Sequence, residues 1–381
     1  MFKMLSALSD FISSNRKYLV LFSIAAGLSC MVILALITGR FADRAVDVFP
    51  SEGQIYYVSP KGSDSETGLD ESKPLATIQL ALNRARPGDT VRLADGAYYQ
   101  NILSVRSGTQ NARITIMGGK NAVIYGDGNR IIEIYHDFIT LKGFQVNGQW
   151  GVGNSKEHYR DKLIYVIGKD PKKGVQGLKI DNLLVQNAGG ECIRLRYFAK
   201  NNEISNSIIR NCGIYDFRFG AGGKNGEGIY IGTAPEQLAD GRNLTDDPDV
   251  SANNHIHHNL IETYGNECVD IKESSINNIV EHNTCRAQKD PESGGFDSRG
   301  NNNIFRYNIV ENTVGSAIRL GGDTSKDGIN NHVYGNVFRD NDAGPLNVQR
   351  MPQGRICGND TSYQDKPDSD SDDVDPTLPC D

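Results

Sequence analysis

Val269-Asp-Ile-Lys272 is one of six short stretches that can be laid over one another, and this overlay decides the fold. In each stretch the first and third residues are apolar, with Ser298 as the exception, and the second and fourth are mostly polar. This alternation is typical of a β-strand with one buried face. The other five stretches are Ile193-Arg-Leu-Arg196, Ile229-Tyr-Ile-Gly232, Phe296-Asp-Ser-Arg299, Ile318-Arg-Leu-Gly321 and Leu346-Asn-Val-Gln349.

A second series of strand-like stretches lies between the first, and each of its members ends in asparagine. The closing asparagines at positions 259, 283, 308 and 336 are 24, 25 and 28 residues apart. A repeat of about 20–30 residues with short strands and Asn/Gly turns indicates a solenoid. Because the repeats are rich in β-branched residues and poor in helix signals, we expect an all-β protein, a right-handed parallel β-helix.

Composition agrees with one large solenoid. The chain has 381 residues, 41 of them glycine, and 38% are hydrophobic. Its net charge is −7, and no basic stripe dominates, so a nucleic acid is not the expected partner. An acidic polysaccharide remains compatible, since it needs only a locally basic groove. We expect a monomer.

The N-terminal region predicts a membrane anchor. Tyr18–Thr38 is an apolar run of 21 residues without a charge, long enough to cross a bilayer. Basic residues precede it, which predicts a cytoplasmic tail at 1–17, a transmembrane signal-anchor at 18–38, a linker at 39–53 and the remaining chain outside the cytoplasm. A cleaved signal peptide and a secreted product form the alternative.

The ends of the solenoid also have sequence signals. A helix is predicted to begin at Ser72–Pro74, with Leu75, Ile78, Ala81, Leu82 and Ala85 on one face, and it caps the open end of the coils. The β-helix domain is predicted at 54–358, and the remaining 359–381 is predicted to be an acidic tail.

Seven cysteines lie along the chain without the spacing of a metal site. Cys192, Cys212, Cys268 and Cys285 fall on or beside predicted strands, and we interpret them as small buried core residues. Cys357 and Cys380 bracket the polar end of the chain. A disulfide between these two and a pair of free thiols are equally compatible with the sequence.

Three segments are too long and too polar for turns: 149–160, 217–226 and 234–253. Loops of this length in a compact fold are usually functional or disordered. On a β-helix, we expect them to form the walls of a groove along one flank.

The outward positions of the six stretches carry the candidate chemistry, because aligned residues of successive coils stack about 4.8 Å apart. Lys272 and Arg299 share one column on adjacent coils. Removing the proton next to a uronate carboxylate needs a base, and positive charge must stabilise the developing enolate. A lysine surrounded by positive charge can lose its proton near neutral pH, and arginine can grip a carboxylate. An ordinary surface ladder of salt bridges is the alternative.

Acidic residues accompany this pair. Glu227, Glu267 and Asp270 are predicted to lie close together and to hold Ca²⁺ through carboxylate oxygens. In the other interpretation, Glu191, Glu227 and Glu267 pair with arginines or cap turns in a purely structural ladder. The outward columns also carry Arg194, Arg196, Tyr230 and Arg319, which we predict to bind the substrate.

Two blocks of sequence carry a resemblance to known proteins. The segments 267–275, 278–283 and 295–302 resemble the core of the chondroitinase B and alginate lyase family, calcium-dependent β-helix polysaccharide lyases. The resemblance implies that Lys272 is the base, Arg299 its carboxylate-neutralising partner and Glu267 a calcium ligand. The chain departs from the family pattern at Gly265, where the family has a second acidic ligand, and in the extra residues 289–293.

The N-terminal block from 57 to 98 looks like the opening of many secreted β-helix proteins, including pectate lyases and mannuronan epimerases.

Three functions follow as hypotheses. The first is a membrane-anchored lyase that cleaves uronate-containing polysaccharide by Ca²⁺-assisted β-elimination. The second is a non-catalytic β-helix that binds glycans or serves as a surface scaffold, since one fold hosts both. The third is a hydrolase of the polygalacturonase type, which needs paired carboxylates such as Asp270 and Asp297.

Overall fold

The computed structural model describes residues 53–365 and 374–380. In that part of the chain, thirty β-strands alternate with short turns. The first ten are β1 Ile55–Val58, β2 Thr90–Leu93, β3 Gly96–Tyr98, β4 Ile102–Leu103, β5 Ile114–Gly118, β6 Ala122–Ile124, β7 Arg130–Ile134, β8 Ile139–Lys142, β9 Gln145–Asn147 and β10 Lys162–Ile167. The next ten are β11 Lys179–Asp181, β12 Leu184–Gln186, β13 Ile193–Arg196, β14 Glu203–Ser205, β15 Ile208–Arg210, β16 Ile229–Ile231, β17 His255–His257, β18 Leu260–Glu262, β19 Val269–Ile271 and β20 Ile279–Glu281. The last ten are β21 Thr284–Arg286, β22 Gly294–Ser298, β23 Ile304–Arg306, β24 Ile309–Glu311, β25 Ser316–Leu320, β26 His332–Tyr334, β27 Val337–Arg339, β28 Leu346–Val348, β29 Ile356–Cys357 and β30 Asp360–Tyr363.

These strands form three parallel sheets that the chain visits in turn, once per coil. Eleven strands run from β1 through β2, β5 and then every third strand to β29, and ten run from β3 to β30 in the same way. The third sheet, of nine strands, has the order β4-β7-β10-β13-β16-β19-β22-β25-β28. The predicted all-β fold, a parallel β-helix, is confirmed.

The register of the nine-stranded sheet is the overlay predicted from the sequence. Ile193 pairs with Ile229, Ile229 with Val269 and Val269 with Phe296, and the series continues to Leu346. These first positions belong to the hydrophobic core together with most of the third positions. The second positions therefore point outward and form one column across the coils.

Asparagines at the turn between the other two sheets tie successive coils together. Asn283 is typical: its amide nitrogen donates to Asn308 Oδ1 at 3.1 Å and to the carbonyl of Ile256 at 2.9 Å. The same bond links Asn259 to Asn283, Asn308 to Asn336 and Asn336 to Asn359. These asparagines therefore link successive coils by side-chain hydrogen bonds.

Within residues 53–365, two α-helices accompany the strands, α1 at Ile78–Arg84 and α2 at Ile214–Phe217. Helix α1 begins later than predicted, because Thr77 is the N-cap and its hydroxyl accepts from the Leu80 amide. Residues 72–76 instead form turns and a bridge to β1. Ile78, Ala81 and Leu82 are buried against the first strands, as a capping helix requires.

The cysteines correct the sequence interpretation. Cys192 bonds to Cys212 and Cys268 to Cys285, so these four residues are buried disulfides and not free core thiols. Cys192 and Cys268 directly precede β13 and β19 of the nine-stranded sheet, whereas Cys212 follows β15 and Cys285 lies within β21 of the ten-stranded sheet. Cys357 and Cys380 form the third disulfide. Three disulfides are typical of a protein outside the cytoplasm.

The structure describes part of the predicted C-terminal tail but not the predicted N-terminal anchor. Strand β30 pairs with β27, so regular structure continues into the segment assigned to the acidic tail. The predicted anchor at 18–38 lies outside the described residues. Among the residues that are described, no helix has the length and apolar character to span a membrane.

Candidate active site

A groove of about 220 Å³ lies on the outward face of the nine-stranded sheet. Lys272 follows β19 and Arg299 follows β22, so the coil repeat places them on neighbouring coils, and both line the groove. Glu227, Glu267 and Arg319 line it as well. The sequence prediction that these residues meet on one flank agrees with this geometry.

Three carboxylates form a cluster at the floor of the groove. Ligand oxygens of Glu227, Glu267 and Asp270 all lie within 4.8 Å of one another, and the three residues are buried. Glu227 and Glu267 precede β16 and β19 at matching positions, and Asp270 is the second residue of β19. The regular step between coils therefore brings the three acids together.

This cluster is electrostatically unfavourable without a cation. Burial raises the pKa of Glu227 to about 7, with further contributions from Glu191 and Asp270. Burial also raises the pKa of Glu267 well above its ordinary value, and Asp297 and Asp270 add to the effect. Like charges at this distance disfavour the ionised state of each neighbour.

The donor set fits a hard divalent cation such as Ca²⁺. Glu267 Oε2 and Asp270 Oδ1 are buried and have no hydrogen-bond partner among the described residues. A buried carboxylate oxygen without a partner carries a large desolvation cost. Oxygen ligands from several carboxylates are what Ca²⁺ takes, and binding of a cation here would satisfy both atoms.

Gly265 shows why the family's second acidic ligand has no counterpart at that position. A Cβ atom there would lie 2.2 Å from the carbonyl oxygen of Cys212 and 2.9 Å from that of Gly226. The backbone of the preceding coil thus leaves no room for any side chain at 265. In this chain, Glu227 from the preceding coil supplies the third carboxylate instead.

Lys272 lies between the acidic cluster and an aromatic ring. Its Nζ is 2.7 Å from Asp270 Oδ2 and 4.9 Å from the ring centroid of Tyr230. Burial alone would lower the pKa of Lys272, but Asp270 and Tyr230 outweigh it and raise the pKa well above the usual lysine value. The expectation of a lysine surrounded by positive charge is therefore wrong for the metal-free site, although Arg299 acts in that direction.

The two groove arginines have different partners. Arg299 Nη1 lies 3.1 Å from Asp323 and 3.4 Å from Glu273, and its side chain keeps about a quarter of its surface exposed. Arg319 is ion-paired with Asp297 and lies 3.8 Å from Glu267. Arg299 is therefore the more accessible cation for a substrate carboxylate.

Arg194 and Arg196, predicted to bind substrate, are not in the groove. Arg194 is 2% exposed and Arg196 is fully buried, because residues 233–249 lie over them. Arg194 stacks on Tyr230, with its guanidinium carbon 3.9 Å from the ring centroid, and also binds Glu191 at 2.7 Å. The two arginines are structural, and only Tyr230 and Arg319 of that predicted set line the groove.

Sequence reasoning missed one partner beside the site. Lys162 binds Glu191 at 2.6 Å. Lys162 and Arg194 hold the pKa of Glu191 at about 2 against the effect of burial. Lys162 begins β10, which pairs with β13 one coil later. Extending the overlay of strands by one coil towards the N-terminus would therefore have predicted that Lys162 lies near Glu191.

Comparison with solved structures finds known proteins that share this fold. The structure superposes on an alginate lyase from Paenibacillus sp. FPU-7 with a TM-score of 0.59 and 22% identity, covering 75% of this chain and 95% of that one. Pectate lyase Pel9A gives a TM-score of 0.53 at 15% identity, covering 84% and 80%. Alginate and pectate lyases share this fold.

The same fold also carries other activities. A GH136 lacto-N-biosidase from Eubacterium ramulus matches with a TM-score of 0.53 and 14% identity, over 85% of this chain and 68% of that one. Identities this low establish the fold alone. The resemblance to β-helix polysaccharide lyases is thereby confirmed as a likeness of fold.

Sequence relatives match only part of the chain. The uncharacterized protein YwoF of Bacillus subtilis is 34% identical over 108 residues, which are 28% of this chain and 22% of that protein. Pectate lyase PEL9 of Emericella nidulans is 39% identical over 75 residues, 19% of this chain and 18% of the relative. The chain thus matches about a fifth of the length of either relative, and no family model matches it.

Proposed function

We propose that this protein is a polysaccharide lyase that cleaves a uronate-containing polymer by β-elimination. The observation that carries the proposal is the convergence of Lys272, Arg299 and three buried carboxylates on one groove. A base, a carboxylate-binding cation and a metal site are the parts that this reaction needs. The lyases with the same fold support the choice.

Glu227, Glu267 and Asp270 are the residues that would hold Ca²⁺. When bound, the ion would supply positive charge next to the substrate carboxylate as the enolate develops. Arg299, with its accessible guanidinium, binds the same carboxylate by charge-assisted hydrogen bonds. Together these groups make the proton on the neighbouring carbon more acidic.

Lys272 takes that proton as the general base. Its Nζ accepts the proton, the released electron pair forms a carbon–carbon double bond, and the bond to the glycosidic oxygen on the next carbon breaks. The departing oxygen receives a proton from water and becomes the new chain end, and Lys272 returns its proton to the hydroxide that is left. Neutralising the carboxylates around Lys272 removes the field that raises its pKa, so the metal site and the base are coupled.

A hydrolase of the polygalacturonase type is less well supported. Asp297 is ion-paired with Arg319, and Asp270 belongs to the carboxylate cluster of the proposed metal site, so neither aspartate is free to activate water. A non-catalytic glycan-binding or scaffold protein is the alternative. Binding of a polyuronate by wild-type protein loaded with Ca²⁺, without formation of unsaturated ends, would favour it.

The location of the domain is part of the proposal. Three disulfides support an extracytoplasmic site, and the apolar segment 18–38 supplies the proposed single-pass anchor. Protein expressed with this segment is expected in the membrane fraction, with the β-helix accessible to protease from outside the cytoplasm. Release of the whole β-helix into the medium would favour a cleaved signal peptide.

The test is an ultraviolet assay for unsaturated uronate ends on alginate, pectate and chondroitin-type polymers, with Ca²⁺ present. Lys272→Arg keeps the charge beside Asp270 but holds its proton too tightly to act as a base, so we expect a loss of about 10²–10⁴-fold in kcat. Lys289→Ala is the matched control, because Lys289 is exposed and does not line the groove. Activity of Lys272→Arg equal to that of the control would remove Lys272 from the mechanism.

A further inference from the structure

Residues 233–249, here called the end wall, cross the outward face of the nine-stranded sheet at β13 and β16. Gln237 Oε1 accepts from Arg194 at 2.7 Å, and Asn243 Oδ1 accepts from Arg196 at 2.6 Å. Asp240 adds an ion pair to Arg196 at 2.8 Å. The wall is thus attached to side chains that the strands hold in a fixed position.

The wall is also fixed where it returns to the coil. Asp249 accepts from the backbone amides of Tyr197 and Phe198, both at 2.6 Å, and from the hydroxyl of Thr233 at 2.6 Å. Asp249 is fully buried. Charge-assisted bonds of this kind in a buried setting keep a segment in one conformation.

The wall divides the outward column of the sheet into two parts. The wall itself covers Arg194, and on its N-terminal side the outward residue Tyr165 is buried, at 1% exposure. On its other side lies the groove with Lys272 and Arg299, and the wall residues Glu236 and Gln237 line the end of that groove. Towards the last coils, Gln349 is exposed.

We propose that the end wall stops the polysaccharide chain at Glu236 and Gln237, so the enzyme cleaves at a fixed short distance from a chain end. This inference rests on the proposed lyase function and adds its mode of attack. A polymer that ran along the sheet past Tyr230 would have to displace the wall from Arg194 and Arg196, which hold it by hydrogen bonds. The exposed carboxylate of Glu236 adds repulsion against a polyanion that approaches from that side.

The test compares viscosity with product formation for the wild-type protein on the polyuronate that it cleaves. Cleavage near an end shortens chains slowly, so viscosity falls little while one short unsaturated product accumulates from the first minutes. Glu236→Ala and the double variant Glu236→Ala/Gln237→Ala remove the wall side chains that line the groove. We expect them to lengthen the main product and to steepen the early viscosity loss.

Arg242→Ala is the matched control, because Arg242 belongs to the same segment but lies outside the groove, 3.6 Å from Asp240. It should leave the product length unchanged. A rapid viscosity loss with mixed long products from the wild type would overturn the end-wall inference and leave the lyase function standing. No unsaturated product from any polyuronate would overturn both.

Discussion

Replacing Glu227 by glutamine separates the metal site from an ordinary buried acid, because the effect of the change on stability should depend on Ca²⁺. Glutamine keeps an oxygen that can accept from the Gly226 amide, which donates to Glu227 at 2.9 Å. It removes one negative charge from the cluster with Glu267 and Asp270. Without metal we expect the variant to be more stable than the wild type, and with Ca²⁺ the wild type should make up most of that difference.

The magnitude follows from the raised pKa of Glu227, which is about 7 in the folded protein against an ordinary value of 4.5. A carboxyl whose pKa is raised by folding destabilises the native state as pH rises through that window, and the cost is complete above it. This difference in pKa corresponds to roughly 3 kcal/mol in the free energy of unfolding. For a unit of about 330 residues, an unfolding entropy of about 0.7 kcal/mol/K converts this into a Tm change of about 4 °C.

Thermal melts at pH 8 and at pH 4.5, each with EDTA and with Ca²⁺, provide the measurement. With EDTA, Glu227→Gln should melt about 4 °C above the wild type at pH 8, and the two should nearly coincide at pH 4.5. At a Ca²⁺ concentration of about 100 times Kd, the wild type should gain about 2.7 kcal/mol, again about 4 °C. The variant should gain much less.

Glu262→Gln is the control, because Glu262 pairs with Arg286 on the ten-stranded sheet, remote from the groove. It should cost under about 1 kcal/mol and keep the full response to Ca²⁺. A Glu227→Gln protein that is less stable than the wild type in EDTA, or that responds fully to Ca²⁺, would refute this reasoning.

Two further predictions concern the scaffold. Asn308→Ala removes four buried hydrogen bonds, to Asn283, Val280 and Asn336, at a cost of roughly 3–5 kcal/mol in the free energy of unfolding. Tm in a thermal melt should therefore fall by about 5 °C, and a fall under about 1 °C would contradict the role of the asparagines in linking the coils. Glu191, with its pKa of about 2, stabilises the fold above pH 4.5 and loses that contribution as pH falls towards 2. The Tm advantage of wild type over Glu191→Gln should therefore shrink across that window, and a constant difference would contradict it.

The sequence predicted the register well because the signal is local and repeated. Alternation of apolar and polar residues fixes which side chains face inward, and the asparagine spacing fixes the length of a coil. Those two facts were enough to bring Lys272, Arg299 and Glu267 to one groove. A slip of one residue would have turned both cations inward.

What the sequence could not predict depends on contacts without a period. The bonds from Arg194 and Arg196 to the end wall join residues more than 40 positions apart, and nothing in the polar wall segment marks it as a cover. The cysteine spacing is a sequence signal for the disulfides. Cys192–Cys212 and Cys268–Cys285 are separated by 20 and 17 residues, less than the 24–28 residues of one coil, so the chain returns to its starting flank between them.

The mass of the product tests the central claim most directly. Wild-type protein loaded with Ca²⁺ is incubated with the polyuronate that it binds, and the released oligosaccharides are weighed by mass spectrometry. Elimination through Lys272 predicts fragments that are one water lighter than the saturated oligosaccharide. The Lys272→Arg variant should release no such fragments over the same time. Saturated fragments of full mass would show hydrolysis and contradict the account.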